Sequence, residues 1–160
     1  MSQRANAIAE RLERGAEALA SYVGSLSDAQ WKVPVPGDGR TVGVIVHHVA
    51  SVYPLEIQLA QTLGAGKAIE GVTWDDVNKM NAGHARDHAG VTKAEALELL
   101  RTNSRAAATA VRAFTDAQLD SAAPASLNYD APVTAQFMIE DHAMRHSYHH
   151  LSRIKGALRH

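Results

Sequence analysis

Apolar residues recur at three- and four-residue intervals along nearly the whole chain, and no sustained alternation of period two interrupts them. This predicts an all-α protein. Ile8, Leu12, Ala16, Leu19 and Val23 set a first helix from about Arg4 to Ser25. Ser27 and Gln30 have capping-box spacing and open one short turn that ends near Trp31. The segment from Pro34 to Gly39 cannot stay helical. Thr41 starts a second long helix reaching about Leu63. Pro54 inside it is expected to kink it, because it removes a backbone donor and crowds the Ala50 carbonyl. Thr73 opens a helix from Trp74 to about His88. Thr92 and Glu95 cap another, reaching about Phe114. Thr115 and Gln118 start a short turn, 121–132 is expected to be a loop, and the last helix is expected over 133–158. Four long helices with short extra ones predict a four-helix bundle in a single domain over 1–160.

Composition narrows the picture by exclusion. The 160 residues carry 16 basic and 17 acidic groups without a charge block, which argues against a nucleic-acid partner. No run of about 18 apolar residues suggests a membrane span. The N-terminal stretch is charged and lacks the apolar centre of a signal peptide, so the expected location is cytoplasmic. There is no cysteine, so any metal must rest on His, Asp or Glu, and any thiol must come from outside the chain.

Nine histidines are many for this length. His146 and His150 stand four residues apart in the last predicted helix, one above the other on one face. In the second helix His48 continues the stripe Val44, Val52, Leu55 and Leu59, while His47 falls with Gly43, Ser51 and Gln58 on a more polar side. Burying three imidazoles without a metal leaves six nitrogens to satisfy. A metal held by His48, His146 and His150 is therefore expected, with a coordination position left open for chemistry. His84 and His88 form a second pair at the same spacing, without an evident third ligand. They are expected to form a solvated or pocket-lining face. The zinc-protease pattern fails because Ser147 takes the place of its glutamate, and Glu-x-x-His motifs of di-iron bundles are absent.

Thr41-Val-Gly-Val-Ile-Val-His-His48-Val-Ala, Asn81-Ala-Gly-His84, Thr92-Lys-Ala-Glu95-Ala-Leu and His146-Ser-Tyr-His-His150, in this order, resemble the DinB-like superfamily. That group includes bacillithiol transferases and the N-terminal domain of mycothiol-dependent maleylpyruvate isomerases. The resemblance implies a four-helix bundle with a long crossover, a divalent metal held by three side chains, and frequent homodimers. Position by position, the ligands it implies are His48, His146 and His150. Arg40 stands where many relatives have Trp, and Leu151-Ser-Arg153 where many have Arg-Gly-Gln. The isomerases use a glutamate as one ligand, and this chain has three histidines.

Three functions follow as expectations. The first is a metal-dependent transferase that activates a small external thiol, with zinc as the default metal and nickel the alternative. The second is metal-dependent hydrolysis of a small-molecule substrate, which needs a general acid or base near the ion. The third is a non-enzymatic, stress-related binding protein. Tyr148, His142, Arg145 and Arg153 are candidate pocket residues.

Overall fold

The structure is a computed structural model and describes residues 2–159. Helix α1 spans Gln3–Gly24, α2 Asp28–Trp31, α3 Val42–Gly64, α4 Trp74–Asp87, α5 Lys93–Arg112 and α6 Asp116–Asp120. The last helical rod has three parts. These are α7 over Ala135–Met138, a π-helical stretch over Ile139–Met144, and α8 over Arg145–Ala157. Side chains of Ser27, Thr73, Thr92 and Thr115 all cap their helices in reciprocal boxes, with Gln30, Asp76, Glu95 and Gln118 as partners.

The bundle is built by α1, α3, α5 and the last rod. Helix α5 packs against both α1 and α3, and the last rod closes the ring against the same two. Helices α1 and α3 therefore face each other across a diagonal, as do α5 and α8. One continuous core joins all four, with Ile8, Leu12, Leu19, Ile45, Tyr53, Leu63, Leu100, Ile139 and Ile154 fully buried. Two close approaches set helix spacing. A Cβ on Gly15 would lie 2.6 Å from the Tyr148 ring, and one on Gly43 would lie 2.5 Å from the Trp31 indole. Helix α3 is long and apolar enough, by length and composition, to cross a bilayer, and 61% of its apolar window is buried inside the bundle.

Three sequence expectations are corrected. The stretch expected as a loop over 121–132 contains a strand, β1 (Ala122–Pro124), paired antiparallel with β2 (Pro132–Thr134). These strands are too short to show a period. The last helix starts at Ala135 because Thr134 caps it while ending β2. On α3 the apolar stripe drifts. Val44 and His48 are buried, but Leu55 is 41% exposed, and Tyr53, just before the proline, and Ile57 and Ala60 beyond it fill the core. Most sides of α3 are apolar, so a wheel has no sharp face to select.

Pro54 is accommodated by a specific partner. Its missing N–H leaves the Ala50 carbonyl without its helical donor, and Asn103 Nδ2 on α5 donates to that oxygen at 2.9 Å.

Candidate metal centre

His48 lies two turns into α3, and its ring turns into the bundle. His146 and His150 sit on successive turns of α8, which packs against α3. The three histidines come together. His48 meets His146 at 5.0 Å and His150 at 5.9 Å between ring centroids, both edge-on, and His146 and His150 lie 4.8 Å apart. One ring nitrogen from each lies within 4.8 Å of the other two.

The electrostatics suit neutral imidazoles. Burial, then the neighbouring His146, pushes the His48 pKa down to about 2. The same two causes push His150 down to about 3. The Arg40 guanidinium lowers both further. An imidazole that stays neutral keeps its lone pair for a cation.

Glu56, two turns beyond His48, is buried and approaches His146, with its Oε1 2.9 Å from Nδ1. A carboxylate only accepts, so Nδ1–H donates and the Nε2 lone pair of His146 stays free. This is the carboxylate–histidine arrangement that orients metal-ligating imidazoles. Nδ1 of His150 and Oε2 of Glu56 are buried without a hydrogen-bond partner. Buried polar atoms left unpaired are costly, so this donor set fits a cation better than an empty core. Sequence reasoning missed Glu56. The available signal was a lone acidic residue within an otherwise apolar stretch, two turns after a candidate ligand.

The residues around the triad have settled partners. Arg40 holds Asp38 with two hydrogen bonds of 2.6 and 2.9 Å, and Arg153 donates to the Pro36 carbonyl. The Arg40 guanidinium holds the Asp38 carboxyl below its ordinary range. Ser147, between the two histidines of α8, shares a 2.7 Å hydrogen bond with Tyr53 of α3 and ties the two helices that carry the triad together. Of the expected pocket residues, Tyr148 leaves the site, packs over Gly15 and donates to the Arg11 carbonyl. Arg145 pairs with Asp141 four residues back.

The pair His84 and His88 lines a half-exposed face with a third neighbour that the sequence did not reveal. His47, placed by the sequence on the polar side of α3, packs against both of them. Its ring lies 5.0 Å from His84 and 4.0 Å from His88, and all three are half-buried. The apolar pattern of α3 put His47 on the more polar side, and it could not show that α4 covers that side.

The architecture defines the class: a four-helix bundle whose core-facing histidines from adjacent helices converge at one point. The chain belongs to the DinB superfamily, whose sequence pattern matches residues 11–154. Among solved structures, the fold resembles YfiT from Bacillus subtilis, a probable metal-dependent hydrolase with an unusual four-helix bundle topology. The TM-score is 0.74 at 19% identity, over 99% of this chain and 89% of that one. No curated protein matches the sequence.

Proposed function

We propose that this protein is a metal-dependent enzyme that activates a small-molecule thiol, with His48, His146 and His150 as the metal ligands. The observation that carries the reading is the convergence of three imidazoles, two of them held neutral by burial. When bound, a divalent cation supplies Lewis acidity and lowers the pKa of a coordinated thiol or water, to about 7 for water in favourable zinc sites. Imidazole nitrogen suits zinc, our default, and nickel.

The chain's own groups have distinct tasks. Glu56 fixes the tautomer and orientation of His146. The Tyr53–Ser147 hydrogen bond keeps α8 in register with α3. Arg40 brings positive charge close to His48 and His150, which favours an anionic nucleophile such as a thiolate. The reaction class is attack of the thiol sulfur on an electrophilic carbon, with the leaving group displaced and the thiol proton released.

Hydrolysis is the second reading, favoured by the likeness to YfiT. It needs a free general base. Of the two carboxylates beside the triad, Asp38 is held by Arg40, and Glu56 gives one oxygen to His146 and keeps only the buried Oε2, so we rank it lower. The test is conjugation of a chloro-dinitrobenzene or an epoxide to small thiols, with and without added zinc or nickel. We expect a rate that needs both thiol and metal and disappears in His48→Ala and His150→Ala. No rate with any thiol, together with metal-dependent cleavage of ester or amide substrates, would replace this reading with the hydrolytic one.

A further inference from the structure

Helix α4 poses a packing problem. It buries none of its residues, and Trp74 and Met80 on it are largely exposed. Yet it docks on α3. An apolar stripe does not hold it there. Facing α3 are His84 and, one turn on at the C-cap, His88, and α3 answers with His47.

These three rings form a second cluster built like the first. One nitrogen from each lies within 4.8 Å of the other two. Nδ1 of His47 and Nε2 of His84 are only 2.8 Å apart. Two lone pairs at that spacing repel, so the approach is favourable only around a shared hydrogen or a shared cation. Nδ1 of His84 is buried with no partner. Ser51 does not resolve the crowding: its hydroxyl donates to the His47 carbonyl at 2.7 Å and lies 3.2 Å from Nδ1. The two clusters adjoin, since His47 and His48 are consecutive and the His48 ring meets the His84 ring edge-on at 5.6 Å.

We propose that His47, His84 and His88 form a second metal site, separate from the first triad, whose cation staples α4 to α3. Three nitrogen donors with no carboxylate among them select a borderline transition ion such as zinc, nickel or copper(II), and discriminate against magnesium and calcium, which take oxygen ligands. All three ligands are half-exposed, unlike the buried His48 and His150, so this is the weaker and more readily exchanged of the two sites.

The test is metal stoichiometry of the full, untagged chain, by elemental analysis after equilibrium dialysis against zinc. We expect two ions per chain in the wild type, one in His84→Ala/His88→Ala and one in His146→Ala/His150→Ala. Because α4 contributes no core residue, the first double variant keeps its fold, and circular dichroism checks this. A second measurement reads the staple directly. Zinc should slow amide hydrogen exchange over Trp74–Asp87 at least tenfold in the wild type and in His146→Ala/His150→Ala, but not in His84→Ala/His88→Ala. A wild type that binds a single ion, still bound in His84→Ala/His88→Ala, overturns the proposal, as does exchange in α4 that zinc leaves unchanged. If instead only the His84/His88 variant loses an ion, the second site stands and the metal reading of the first triad fails.

Discussion

At the scale of single residues, the proposed centre depends on groups other than its proposed ligands. Glu56 carries the clearest prediction. Its hydrogen bond to Nδ1 is what leaves Nε2 of His146 available. Glu56→Ala should weaken zinc binding at the first triad about 10–100-fold, the usual effect of losing such a partner. Glu56→Gln keeps a carbonyl acceptor and should lose less. Competition against a chromophoric chelator measures both, and equal affinity in Glu56→Ala and the wild type would remove Glu56 from the site. Gly15 is the second residue with an outsized role. Its missing Cβ is the space that the Tyr148 ring occupies. Gly15→Ala should destabilise the fold by about 1–3 kcal/mol, the usual cost of overpacking. Tyr148→Ala in the same chain should return part of that loss, as read from urea midpoints.

At the scale of elements, what was legible followed signal strength. The boxes at Ser27, Thr92 and Thr115 place a hydroxyl three residues before a Glu or Gln, and all three open helices where the sequence put them. The pair His146 and His150 survived because both lie within the regular turns of α8. The π-helical stretch just before them did not show. A wheel at constant pitch assumes that residues before 139 and after 144 share one register, and each wide turn breaks that assumption. His47 lies on the more polar side, as the sequence placed it, but its partners did not show: α4 has no apolar stripe, so nothing in its sequence announces which helix it covers. Helix α3 also holds a test of element-level coupling. Asn103 replaces the donor that Pro54 lacks, so Asn103→Ala should cost about 1–3 kcal/mol by orphaning the Ala50 carbonyl. In a Pro54→Ala background the backbone N–H returns, and the same substitution should cost much less. A double-mutant cycle from denaturant unfolding reads the difference, and strict additivity would refute the substitution of one donor for the other.

At the scale of the whole molecule, the buried histidines make folding sensitive to pH, and the sign is fixed. Unfolded histidine titrates near 6.5. In the folded, metal-free chain burial holds His48 down to about 2 and His150 down to about 3. Above pH 6.5 neither state binds a proton at these sites, so they do not oppose folding. Below it the unfolded chain takes up protons that the folded chain refuses, and stability falls as pH falls. Each site contributes a slope of about 1.4 kcal/mol per pH unit once its unfolded form is protonated. His84, held down to about 4 chiefly by burial, adds in the same direction, but it is more exposed and contributes less. Between pH 6 and 5, before most carboxylates titrate, His48 and His150 should therefore together contribute more than one proton, approaching two, to the uptake on urea unfolding of the metal-free protein. His150→Gln should lower that uptake by about one. Zinc adds to stability at neutral pH, and His48 and His150 should not diminish that increment over the same interval, because in the folded chain they stay unprotonated there while protons compete for the same nitrogens only in the unfolded chain. A pH-independent midpoint in the metal-free chain would mean that the imidazoles at 48 and 150 are not held neutral inside the bundle, and the case for a cation between α3 and α8 would lose its electrostatic basis.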